Sequence, residues 1–123
     1  MFAGKKISEF FPWAESKEGK KWYGGFKTKL EEKMPGGESY NDLRNRVERI
    51  CEKIIREEKG KNVFVMTHGK IKIMMLAYLL RKDYMKFKKK HKIENTAISV
   101  IHVKDDGNHR ARLINNTRHL AGD

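Results

Sequence analysis

His68, Gly69 and Lys70 sit in the stretch Val63-Phe64-Val65-Met66-Thr67-His68-Gly69-Lys70-Ile71, where an apolar run turns a polar corner and continues with helical spacing. A histidine can donate hydrogen bonds to a phosphoryl oxygen, a glycine leaves the backbone open to an anion, and a lysine adds positive charge. At the carboxyl end of a strand, the unpaired amides of the next helix and its dipole strengthen that attraction. The bland alternative is that His68 caps the helix or packs under a loop, which is the commoner fate of a strand-end histidine.

The elements around the corner are expected from the same sequence. Pro35-Gly36-Gly37 closes a loop, and Ser39 with Asp42 three positions on makes a helix start. Apolar residues then recur at Leu43, Val47, Ile50, Cys51, Ile54 and Ile55, which predicts a helix over about Tyr40 to Glu58. Gly60 and Asn62 end it, and Val63–Met66 reads as a strand buried on both faces of a parallel sheet. Ile71, Met74, Met75, Tyr78 and Leu79 predict a helix stopping near Leu80. Residues 81–92 form a basic connector, with His91 inside it. Ala97–Val103 and Ala111–Asn115 read as a hairpin around a turn at 105–108. Before Gly37 the pattern is weak and predicts one or two short helices. Phe10, Phe11, Trp13, Trp22, Tyr23 and Phe26 lie there as packing residues or pocket walls, because base stacking calls for a strand platform.

At 123 residues the chain is expected to be a single domain, residues 1–123. The formal net charge of +12 points to anionic partners, including nucleic acid, anionic metabolites and anionic lipid surfaces. Cys51 is the one cysteine and cannot form an internal disulfide, so a reducing, cytoplasmic setting is expected. No signal peptide is legible, and no window reaches the roughly 18 apolar residues of a membrane span. No membrane partner is expected.

Taken in order, Pro35-Gly36-Gly37-Glu38-Ser39-Tyr40-Asn41-Asp42-Leu43, then Val63–Ile71, Ile93-Glu94-Asn95-Thr96-Ala97-Ile98 and Leu113-Ile114-Asn115-Asn116-Thr117-Arg118-His119-Leu120 resemble the second half of the histidine phosphatase superfamily. These are the phosphoglycerate-mutase-like and α-ribazole-phosphatase-like proteins. The resemblance spans about Phe2 to Leu120 and is strongest from Met34 to Met75. It implies an α/β fold, a partial phosphoglycerate-mutase-like three-layer sandwich with a mostly parallel sheet that lacks the first strands. It also implies that His68 is the second active-site histidine, with Gly69 and Lys70 in the phosphate-binding corner.

The family's nucleophile, a histidine in an Arg-His-Gly motif that becomes covalently phosphorylated, has no counterpart here. Arg118-His119 precedes a leucine and belongs to the tail. The family's second phosphate-binding arginine segment is missing too, and its acidic proton donor would precede the stretch Phe2-Ala3-Gly4-Lys5. The resemblance thus implies the C-terminal part of a phosphomonoester hydrolase or phosphomutase, inactive until an N-terminal half completes it. One histidine at one helix terminus supplies only part of phosphoryl transfer. Losing the first strands would also leave Val63–Met66 with a free apolar edge. A homodimer, a swapped assembly or a separate N-terminal half chain is the expected partner, with an anionic phosphorylated small molecule as ligand. Glu9, Glu15 and Glu18 read as structural, and Glu38 as a brace for the helix start. His102 and His109 lack metal-ligand spacing, and no metal or cofactor is assigned. A noncatalytic phosphate-ligand or regulatory module and a basic nucleic-acid binder are the alternatives.

Overall fold

Lys6 opens the first helix, α1 (Ile7–Glu15), where its backbone amide donates to Glu9 Oε2 at 2.7 Å. An acid in the first turn suits the positive end of the helix dipole. Ser16 then breaks the run, its hydroxyl donating to the Trp13 carbonyl at 2.5 Å and accepting from the Gly19 amide at 3.0 Å. The chain resumes as a helix over 17–21. Gly19 is there for a spatial reason: a Cβ on it would stand 1.8 Å from the Trp13 carbonyl oxygen.

The computed structural model describes residues 6–21, 33 and 36–122. It divides into two compact units, Met1–Arg46 and Val47–Asp123, with the boundary inside the longest helix. The expectations for Phe2–Lys5, Trp22, Tyr23, Phe26, Met34 and Pro35 lie outside the described residues.

That helix, α2 (Tyr40–Glu57), begins as its sequence predicts. Ser39 Oγ accepts from the Asp42 amide and Asp42 Oδ2 accepts from the Ser39 amide, each at 3.0 Å, so two otherwise orphaned donors are satisfied reciprocally. Lys33 Nζ adds an ion pair to Asp42 at 3.0 Å. The Ser39 hydrogen bond first, and Lys33 second, hold the Asp42 carboxyl below its ordinary value of 3.8. Glu38 braces the same start by accepting from Arg46 Nη2 at 2.5 Å. Val47 and Cys51 are the buried positions toward the carboxyl half, whereas Ile50 falls off the stripe and is exposed. Gly60, with φ of 77°, turns the chain out of the helix in a conformation that favours glycine.

The second unit buries Ile73, Met74, Leu76 and Ala77 of α3 (Gly69–Leu79) and Tyr84 and Phe87 of α4 (Tyr84–Lys90), with Val47 and Cys51. These two helices pack on each other. The buried face of α3 differs from the one its spacing suggests, because the helix is apolar almost all round and its pattern cannot select a side. Finding α4 corrects the basic connector of residues 81–92. Asp83 caps this helix by accepting from the Lys86 amide at 2.9 Å, and Tyr84 and Phe87, three apart, anchor it.

The hairpin forms as expected, β1 (Ile98–His102) pairing antiparallel with β2 (Arg110–Asn116). Its register runs from Ile98 opposite Asn116 to His102 opposite Arg110, with two irregularities. The protein is therefore mixed helix and strand. Among the described residues the sheet is two-stranded and antiparallel, not the mostly parallel sheet expected. Among the described residues Val63–Met66 forms no ladder. Nor is it buried: Val63 and Val65 are 46% exposed, and Phe64 and Met66 are 83% and 86% exposed.

Candidate functional site

His68 occupies the cap position of α3 with extended backbone, φ −91° and ψ 159°, yet its side chain makes no cap hydrogen bond. It is also exposed. Both bland roles, capping and packing, therefore fail for this residue. The local fold follows from the residues: the apolar run ends at Thr67, and the His68 carbonyl accepts the first helical hydrogen bond, from the Lys72 amide at 2.9 Å.

Gly69, Lys70 and Ile71 form the first turn of α3, where amides point out of the helix without partners in its own ladder. Gly69 and Lys70 are exposed beside His68, so the three predicted site residues are brought together by continuity of chain. A Cβ on Gly69 would meet nothing within 4 Å. Internal packing thus does not demand glycine there, and the approach to the helix terminus is open. An imidazole and an ammonium at the positive end of a helix make an arrangement that can hold an oxyanion.

Lys72 fastens this turn from below. Its ammonium donates to the Ala97 carbonyl, tying α3 to the chain entering β1, and burial pushes its pKa down. Tyr78 Oη donates to Glu52, and that bond, followed by burial, pushes the phenol up to about 12. Burial first, then Glu52 and Glu48, pushes the Cys51 thiol up to about 11, which suits inert filler rather than a nucleophile.

The remaining candidates have structural partners. His91 stacks against Phe87 with ring centroids 4.3 Å apart. His109 Nδ1 accepts from the Lys104 amide at 3.0 Å, and His119 Nε2 lies 3.3 Å from Thr96 Oγ1. Glu9 serves α1 and Glu38 serves α2. Among the described residues no three histidine, cysteine or acidic side chains are grouped to hold a metal.

Sequence reasoning missed Asn115. At φ of 53° its side chain accepts from the Glu94 amide at 2.8 Å and donates to the Lys92 carbonyl at 2.6 Å. Its own amide donates to Ser99 Oγ at 3.0 Å. Its available signal was the pair Asn115-Asn116 at a strand end, since asparagine tolerates left-handed backbone and bonds nearby peptide groups.

The family model for the histidine phosphatase superfamily (branch 1) matches residues 9–117. The chain belongs to the histidine phosphatase superfamily. No curated protein and no solved structure matches it. For this histidine phosphatase superfamily member, the match runs through both compact units and includes the whole His68 corner. No helix among the described residues is long and apolar enough to cross a membrane.

Proposed function

We propose that the His68 corner is the phosphoryl-binding half of a histidine phosphatase-type site, acting on a phosphomonoester. The observation that carries this reading is an exposed His68 with no cap bond, heading an open helix terminus in a chain of this superfamily. In this reading His68 hydrogen-bonds a phosphoryl oxygen, Gly69 permits the approach, and Lys70 supplies charge. The sequence holds no Arg-His-Gly, so the attacking histidine comes from residues outside these 123, in a parallel-sheeted sandwich completed by that segment. Alone, the chain binds phosphate without turning it over, since in-line attack needs an aligned nucleophile and further cationic contacts.

Mixing the protein with a polypeptide that carries an Arg-His-Gly strand is expected to produce hydrolysis of an aryl phosphate, lost on His68→Ala. Phosphate alone is expected to shift the Gly69 and Ile71 amide resonances. Shifts without hydrolysis under any such mixture would instead favour a noncatalytic phosphate-binding module, the reading favoured by the missing motif. Silence at both amides removes the corner from either reading. A base-stacking nucleic-acid role gains little from the structure: Phe11 and Trp13 lie on a helix, not on a strand platform.

A further inference from the structure

Residues 81–92 concentrate the charge of the chain. They hold seven lysines and arginines and one acid, so half of the formal +12 lies in about a tenth of the length. That acid, Asp83, accepts from the Lys86 amide as the cap of α4, and no other follows before Glu94. Elsewhere cations meet acids: Lys33 with Asp42, Arg46 with Glu38, Lys59 with Asp105 and Lys61 with Glu58. Among the described residues, the side chains of Lys82, Lys86, Lys89, Lys90 and Lys92 enter no such pair, and all five are exposed. At about 100° per residue, Lys86, Lys89 and Lys90 fall within one arc of about 100° along α4, on the side away from the buried Tyr84 and Phe87. Lys82 and Lys92 flank the helix at its two ends. Like charges at three- and four-residue spacing repel, and the helix dipole offsets this in the last turn alone, which leaves Lys82 and Lys86 unaccounted for.

The surroundings of this ridge select among polyanions. Helices that lie on anionic membranes bury an apolar face in lipid, whereas α4 turns its apolar face into the core and no apolar residue of 81–92 is exposed. Single strands are held largely by stacking on rings. Here Tyr84 and Phe87 are buried, and His91 is stacked on Phe87 with centroids 4.3 Å apart. A duplex keeps its bases stacked on one another and presents rows of phosphates, which compact ammonium charges meet without reading sequence. We propose that the ridge of Lys86, Lys89 and Lys90, extended by Lys82 and Lys92, binds the phosphate backbone of a duplex nucleic acid independently of its sequence. The contact does not involve His68, so it stands or falls apart from the phosphomonoester reading.

The test titrates the full chain against a labelled DNA duplex of arbitrary sequence over a range of salt. Between about 50 and 200 mM, the logarithm of the association constant is expected to fall linearly with that of salt, by about 0.9 per phosphate neutralised. Lys86→Gln/Lys89→Gln/Lys90→Gln should flatten the slope by about 2 to 3 and weaken binding at least tenfold at about 100 mM salt. Lys20→Gln/Arg49→Gln/Lys53→Gln removes the same charge from exposed positions on other helices and should change the slope by less than about 1. His68→Ala should bind the duplex as the native chain does. Should the α4 triple variant lose helical content, the three single substitutions are read instead, at about 0.9 in slope apiece. Equal slopes for the two triple variants would overturn the proposal in favour of net charge alone, and an unchanged slope for the α4 variants would overturn it outright. Tighter binding of a single strand of the same length overturns it in favour of stacking. Competition by polyglutamate as strong as by duplex, at equal charge, overturns it in favour of an acidic polypeptide. Capture by phosphatidylserine vesicles but not by duplex, lost in the α4 variants, overturns it in favour of a membrane surface.

Discussion

Gly69 separates what the fold needs from what a bound anion needs. Its backbone is helical, and a Cβ there would touch nothing within 4 Å, so alanine should be accommodated and even favoured by up to about 0.5 kcal/mol. The same Cβ would stand over the helix terminus beside His68. Gly69→Ala is therefore expected to leave the thermal midpoint unchanged or slightly raised while weakening phosphate binding several-fold by amide titration; equal binding would remove the steric reading of this glycine. Asp42 gives the opposite case, a residue whose charge serves folding. Its carboxyl is held below the ordinary 3.8 by Ser39 and Lys33, so the ionised form is the one the helix start prefers. The sign follows: its contribution is present above the unfolded value and is lost as pH falls through the lower folded one. The protection of amides 40–43, taken against their intrinsic exchange rates, should fall below pH 3.8 in the native protein, and Asp42→Asn should show low protection there already at neutral pH.

At the level of elements, α2 and the hairpin were legible because each carries local chemistry that needs no partner: a reciprocal Ser39–Asp42 cap, and a turn at 105–108 after a β-branched run. Gly107, with φ of 77°, supplies the left-handed backbone of that turn. By contrast, α4 was hidden by its lysines. Lys86, Lys88, Lys89 and Lys90 dominate the composition, while the helix rests on two buried rings and one capping aspartate. Phe87→Ala should remove that anchor at a cost of about 3 kcal/mol or more, read as a lower denaturation midpoint, whereas Lys89→Ala should stay within about 0.5 kcal/mol. The Val63–Met66 strand was misread for the reverse reason. Its β-branched, apolar residues state a preference for a sheet, but a strand exists only where a neighbour offers a ladder, and that is a nonlocal fact. The corner at His68 was legible in its residue types and order; the clamp at Asn115 was not, since its three bonds reach Lys92, Glu94 and Ser99 across the fold.

For the molecule as a whole, a formal charge of +12 coexists with bare Phe64 and Met66. Net charge of this size opposes self-association and favours solubility, which lets an exposed apolar stretch persist in solution. A hydrophobic dye is expected to fluoresce on the native protein and to lose most of that signal in Phe64→Ser/Met66→Thr, with helical content unchanged; full retention would place the dye elsewhere. A further consequence lies far from this stretch, at the junction after α1. Every missense change reachable by one base from a glycine codon installs a residue with a Cβ, and at position 19 that atom would lie 1.8 Å from the Trp13 carbonyl oxygen. The codon for Gly19 thus has no tolerated missense neighbour while this turn is kept, so in a population of randomly mutated genes selected for folding it should vary only by synonymous change.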